Sequence, residues 1–173
     1  MINLNEFTSW HVGVAAEAYT AAILARYGYD VSVQYGANQP EYDLIAVSGD
    51  KILKISVKGS KDKSWGLTQG YKKGCTYHEA VDKWLNAHHE KTIFSLVQFD
   101  GTAQNEMPRI YLATPKEIAD RLKKSAGGRG ETILYENHTW GPRAAGRGTT
   151  DSIPKEWLIS EERLNFLFKT YGQ

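Results

Sequence analysis

Asp43 and Lys58 are the first residues in this chain whose types and spacing suggest chemistry. They close the two ends of an apolar stretch, DLIAVSGDKILKISVK, with an acid before it and an amine after it. The Gly49-Asp50 pair reads as a two-residue loop, because glycine in first place suits a type II′ hairpin turn. With that loop Ser48 faces Lys51, Asp43 faces Ser56, and Glu41 faces Lys58. Directly opposed side chains share one face of a strand pair, with Cβ atoms about 4.5–5.5 Å apart. The two-residue period sets Ser56 beside Lys58 on that face. Tyr42/Val57, Leu44/Ile55 and Ala46/Leu53 collect on the other, as core. A slip of one residue would mix the two faces, so the apolar pattern itself supports the register.

Glu17 is a third residue of interest. It falls inside the helical stretch VGVAAEAYTAAIL and shares a face with Val14, Ala21 and Leu24 at helical spacing. A carboxylate on an apolar stripe calls for a cation or a hydrogen-bond partner, since burying it unpaired is costly. Its other reading is a boundary residue that reaches solvent.

Glu17, Asp43, Ser56 and Lys58 together suit a site for a divalent cation. Hard oxygen ligands fit Mg²⁺, which takes one or two carboxylates and fills its shell with water and substrate phosphate. Such an ion polarises a phosphoryl oxygen, and Lys58 is the group to orient water or balance developing charge. The same residues also fit a surface Glu41–Lys58 ion pair beside a hydrogen-bonded Asp43.

These residues depend on the elements around them. Residues 8–30 read as a first helix, with Thr8 or Ser9 as N-cap and Gly28 as the stop. YDVSVQYG reads as a strand, then the hairpin 41–59, then a Gly/Lys-rich loop over 59–75. A second helix over 76–91 leads to the strands TIFSLVQFD and RIYLA. TPKEIADRLKKS reads as a third helix, capped by Thr114 with Pro115 in its first position. ETILYE reads as a last strand, residues 141–150 as a mobile Gly/Arg segment, and SEERLNFLFKT as a closing helix. The expected class is α/β: a central mixed sheet flanked by helices. One domain is expected over residues 1–173, with its core at about 8–125 and a C-terminal extension over about 126–173.

Composition narrows the setting. The hydrophobic fraction of 41% and charged fraction of 24% are ordinary for a globular domain. No apolar run reaches the roughly 20 residues of a membrane span, so no membrane partner is expected. MINLNEFTSW lacks the basic flank and apolar core of a secretory leader. The single cysteine, Cys75, excludes an internal disulfide and a cysteine zinc site, and a reducing, cytoplasmic setting is expected.

The net charge of +1 hides a strong asymmetry. Residues 1–50 carry six acids against one base, Arg26, whereas residues 51–73 carry seven lysines against one acid, Asp62. A second basic segment runs from Arg121 to Arg147. This points to a polyanion on one side and a cation site on the other. In KGSKDKSWGLTQGYKKG, the residues Lys61, Lys63, Lys72 and Lys73 suit phosphates, and Trp65, Gln69 and Tyr71 suit bases or sugars. A solvated loop accounts for the same composition. His78, Asp82, His88, His89 and Glu90 do not form an HExxH pattern and read as exposed helix residues. SAGGRGE lacks the GKS/T ending of a phosphate-binding loop and reads as a turn. Cys75 reads as a packing residue; Trp140, Trp157 and Ile153-Pro154 read as anchors for the C-terminal part.

The order AAEAY, RYGYDV, PEYDLIAV, LKISVKGS resembles the PD-(D/E)XK nuclease superfamily, the restriction-endonuclease-like fold. Residues 10–60 carry the resemblance well, and the later elements follow it loosely. It implies an αβββαβ core and a metal-dependent nuclease that hydrolyses phosphodiester bonds, in DNA rather than RNA, with Mg²⁺ or Mn²⁺ as cofactor. By the resemblance Glu17 matches the helical acid, Asp43 the metal-binding aspartate and Lys58 the catalytic lysine. The Val57 backbone carbonyl is implied as a further ligand, and cleavage of a duplex implies a homodimer. One position departs from the pattern: Ser56 stands where the family has its second acid. A hydroxyl is a poorer ligand than a carboxylate, so Glu17 compensates, Glu41 reaches in from the same face, or the chain has kept nucleic-acid binding and lost cleavage.

Overall fold

The computed structural model describes residues 6–34 and 41–173. Residues 35–40, which include the end of the expected strand YDVSVQYG and Pro40 before the hairpin, lie outside the described residues. Thr8 caps α1 (Ser9–Arg26) by accepting from the His11 N–H, and the chain leaves the helix through Gly28 at φ +88°. Three antiparallel strands follow: β1 (Asp30–Val33), β2 (Leu44–Ser48) and β3 (Lys51–Ser60). The β2–β3 turn has Gly49 at φ +61°, and Ser48 pairs with Lys51, Ala46 with Leu53 and Leu44 with Ile55. That is the register expected from the apolar alternation.

After β4 (Ser64–Gly66), α2 (Tyr77–Asn86) crosses over so that β5 (Thr92–Gln98) pairs with β3 in parallel. β6 (Arg109–Ala113) returns antiparallel, and α3 (Pro115–Lys124) starts at the Thr114 cap. The central sheet is thus mixed and five-stranded, in the order β1-β2-β3-β5-β6. Every residue of β5 is buried, as a strand covered on both faces must be.

Two separate cores explain that coverage. On one face α1 and α4 (Glu161–Tyr171) pack Ala16, Leu24, Leu164 and Leu167 on Leu53, Ile55, Val57, Ile93 and Val97. On the other, α2 and α3 pack Val81, Trp84, Ile118 and Leu122 on Phe94, Leu96 and Ala113. Buried Arg163 joins the layers by donating to the Leu112 carbonyl and to Glu117 at 2.6 Å. No helix among the described residues is long and apolar enough to cross a membrane.

Two expectations change. The 59–75 loop contains β4 and a 3-10 turn, Gln69–Tyr71. The strand read from ETILYE, β7 (Ile133–Tyr135), pairs with β4 outside the central sheet. A second ribbon, β8 (Asn137–Thr139) with β9 (Thr150–Ser152), encloses the Gly/Arg segment, which is folded back by Trp140 N–H on the Thr149 carbonyl and Gly148 N–H on Trp140.

Candidate active site

The site forms where β2 gives out and β3 continues. Leu44, the first residue of β2, is the ladder's outermost pair with Ile55, and β3 runs on to Ser60. Asp43 donates its backbone N–H to the Ile55 carbonyl. The next inward donor of β3, the Val57 N–H, is taken by the Asp43 carboxylate, Oδ2, at 2.7 Å. A side chain therefore replaces the missing strand. In an extended strand a residue's N–H and C=O point to the same edge, so the Val57 carbonyl faces the side where Asp43 stands.

Glu17 reaches this edge from α1. The buried stripe of the helix is Val12, Ala16, Thr20 and Leu24, with Thr20 bonded to Ser95 of β5 at 2.9 Å. The stripe expected from spacing holds at Leu24 and Ala21 and departs in the earlier turns: Val14 is exposed, and Glu17 sits half-buried on the flank of the stripe. Burial raises the pKa of the Glu17 carboxyl, the negative charge of Asp43 raises it further, and Lys58 opposes both. These three residues thus share one electrostatic environment, though 41 positions part the first from the last in sequence.

Gly59 explains how the helix comes so near. A Cβ at this position would lie 2.8 Å from Val12 Cγ1 and 2.9 Å from Ala16 Cβ. A glycine inside a strand marks such a close approach. Lys58 itself is exposed, and its backbone carbonyl accepts from the Trp65 indole N–H at 3.0 Å. An open cleft of about 380 Å³ starts at Val57 and Lys58 and runs between the first turns of α1 and β4, past Lys61, Ser64 and Gly66.

Other expected site residues are placed differently. Glu41 does not face Lys58, because β2 starts three residues later; its carboxylate accepts from the His89 N–H after α2 at 3.1 Å. Tyr42 likewise leaves the core, its ring 5.4 Å from the Lys54 ammonium. Ser56 is 3% exposed and paired with Phe94, on the face covered by α2. A carboxylate there would be buried next to an aromatic core, which gives a physical reason for a small neutral residue.

The lysine-rich loop divides as well. Trp65 is 3% exposed and belongs to the core, so it is a support for Lys58 and offers no stacking surface. Lys61 donates to the Phe7 carbonyl at 2.5 Å, and Lys63 pairs with Asp100 at 3.5 Å. Lys72 bonds the Cys75 carbonyl and lies 4.6 Å from the Tyr77 ring. Gln69 packs over Gly66, and Lys73 is exposed. Cys75 donates its thiol to the Tyr71 carbonyl, a packing role. Trp157 and Ile153 are buried in the α2–α3 core, as their apolar character suggested.

Among the described residues, no group of three or more His, Cys, Asp or Glu side chains is placed to hold a metal. Glu17 and Asp43 are a pair. Two carboxylates with one backbone carbonyl still fit the modest protein share of a Mg²⁺ shell.

No family model and no curated protein matches the chain.

Sequence reasoning missed Gly59 at this site and gave Trp65 a base-stacking role that its burial rules out. Gly59 carried a signal, a glycine inside a strand directly after the lysine. Trp65 carried none, because a tryptophan among lysines reads equally as a surface.

Proposed function

We propose that the protein is a divalent-metal-dependent nuclease of restriction-endonuclease-like fold, acting on phosphodiester bonds of DNA. The observation that carries this reading is the shared environment of Glu17, Asp43 and Lys58 at the open end of β2. The order helix, three antiparallel strands, helix, parallel strand supports it too.

Glu17 and Asp43, with the Val57 carbonyl, would hold Mg²⁺ or Mn²⁺. The chemistry such an ion supplies when bound is Lewis-acid stabilisation of charge on a phosphoryl oxygen. Asp43 is fixed by its bond to the Val57 N–H, which leaves Oδ1 toward a ligand. Lys58 stands exposed at the cleft mouth, held through its carbonyl by Trp65. Its ammonium would hydrogen-bond the attacking water and balance charge developing on the phosphate. Duplex cleavage would need two such sites, hence a homodimer, which sedimentation with DNA bound would reveal.

The test is hydrolysis of DNA with Mg²⁺ or Mn²⁺ by the wild type, Asp43→Ala and Lys58→Ala. Cleavage that both substitutions abolish supports the reading; no cleavage, or equal cleavage by all three, overturns it. Ser56 favours a second reading: with only two carboxylates, the same surface would bind nucleic acid without turnover. Salt-sensitive binding with no hydrolysis under any divalent ion would select it.

A further inference from the structure

The C-terminal extension contains a surface that the site above does not use. The glycine turn 127–130 is wedged between two segments distant in sequence. On one side a Cβ on Gly130 would lie 2.8 Å from the His78 ring and 3.1 Å from the Tyr77 Cβ. On the other, Gly146 packs directly on the Ala126 backbone. The first turn of α2, the turn 126–130 and the loop 140–148 thus form one continuous face.

Cations dominate this face. The Arg129 guanidinium lies 4.4 Å from the Tyr77 ring and 5.4 Å from the Trp140 ring. Lys72 lies 4.6 Å from the same Tyr77 ring. Lys73, Arg143 and Arg147 are exposed and make no ion pair among the described residues. The acids beside them are engaged among the described residues: Glu131 pairs with Arg129, Glu79 caps α2 through Thr76, and Asp151 pairs with Arg121. The face is also rigidly built. Asp151 is buried and accepts from the Trp140 indole at 2.6 Å and the Ala126 N–H at 2.9 Å, and it pairs with Arg121. Three strong bonds to one carboxylate hold a loop that adds little to the central sheet.

The face adjoins the cleft through the β4–β7 ribbon. Ser64 and Gly66 of β4 line the cleft and pair with Tyr135 and Ile133 of β7, and the Tyr135 ring lies 5.9 Å from that of Trp140. We propose that this aromatic-basic face, centred on Arg129, Arg143 and Arg147, binds the sugar–phosphate backbone of a polynucleotide beyond the bond held at the Glu17–Asp43–Lys58 site. The identity of the ligand rests on the nuclease reading. The substrate is then a chain several nucleotides long, held through phosphates without regard to sequence, and short oligonucleotides bind poorly.

The test measures affinity against salt, by fluorescence anisotropy in EDTA, for duplex DNA, single-stranded DNA and RNA of equal length. Each phosphate contact contributes about 0.9 to the salt slope for a duplex and about 0.7 for a single strand. Arg143→Ala/Arg147→Ala is expected to lower the slope by about 1.8 or about 1.4, respectively, for the nucleic acid actually bound. Arg143→Lys/Arg147→Lys restores it, and Arg26→Ala/Lys169→Ala, on the α1–α4 face, leaves it unchanged. A slope unchanged by the alanine pair, a loss equalled by the Arg26/Lys169 pair, or no binding at low salt overturns the proposal. Cleavage lost in Asp43→Ala with an unchanged slope leaves the nuclease reading standing and this one refuted. The reverse result, a slope that falls without any cleavage, refutes the nuclease reading and keeps the surface.

Discussion

Asp43 and Val57 are joined by a hydrogen bond of 2.7 Å in which a carboxylate completes the β2–β3 ladder. The residue proposed to hold a cation therefore also terminates a strand, and substitution at this position separates the two roles. Asp43→Asn keeps an acceptor for the Val57 N–H and removes the charge. Its stability should stay near wild type while cleavage falls by about 10²-fold or more. Asp43→Ala should lose cleavage and also about 1–2 kcal/mol of stability, because the N–H loses its partner. Urea unfolding and rates with Mg²⁺ separate the two; an active Asp43→Asn would remove the charge from the mechanism.

The Glu17 carboxyl titrates above its ordinary 4.5, mainly through burial and then through Asp43. A raised folded-state pKa means that folding favours the protonated form. Relative to a non-titrating residue, Glu17 contributes most below the unfolded value, and that contribution disappears as pH rises through the folded one. Without divalent ions Glu17→Gln should thus be more stable than wild type at neutral pH, with the difference vanishing in acid. Mg²⁺ should stabilise wild type and leave Glu17→Gln nearly unmoved. Thermal unfolding at several pH values, with and without Mg²⁺, checks both signs.

Gly59 sets the distance between α1 and β3. Gly59→Ala drives a methyl to within 2.8 Å of Val12 Cγ1 and 2.9 Å of the Val12 carbonyl. The expected cost is about 1–3 kcal/mol from overpacking, with a loss of cleavage as Glu17 is carried away from Asp43. Val12→Ala frees the Cγ1 contact but leaves the Val12 carbonyl and the Ala16 Cβ in place, so the double variant should recover part of the stability. Full additivity in a double-mutant cycle would show that the helix does not rest on this glycine.

Ser56 tests the missing acid. It is buried beside Phe94, so Ser56→Asp sets a carboxylate in an apolar layer. Without metal it should cost more than the roughly 1–3 kcal/mol of a neutral buried polar group, because the carboxylate is charged. If position 56 lies within reach of the ion, Mg²⁺ should return much of that loss and bind more tightly than in wild type. Unfolding curves across a Mg²⁺ titration report this directly, and a cost that Mg²⁺ does not relieve would place Ser56 outside the coordination sphere.

The hairpin was readable from sequence because two independent signals, the Gly49 turn and the apolar alternation, agreed on one register. It failed at its open end. Alternation alone extends a ladder indefinitely, whereas the Asp43 side chain competes for the Val57 N–H and lets the chain turn off to seat Glu41 on His89. The helical stripe departs from the spacing at Val14 and Glu17 because six alanines, spread around α1, leave its periodicity shallow. The C-terminal network was invisible for another reason. Arg121, Ala126, Trp140 and Asp151 meet only after two ribbons form, and no local pattern encodes such a meeting.

The parallel pairing of β3 with β5 has a consequence for the order of assembly. Glu17, Asp43 and Lys58 all emerge early in synthesis, on α1, β2 and β3. Yet Lys58 lies on a strand whose second edge stays open until Leu96 arrives opposite it, after the whole α2 crossover. Parallel strands joined through a helix pair late, and an open edge invites other chains. A fragment ending before Thr92 would hold every proposed catalytic group and still present β3 as a bare, aggregation-prone edge.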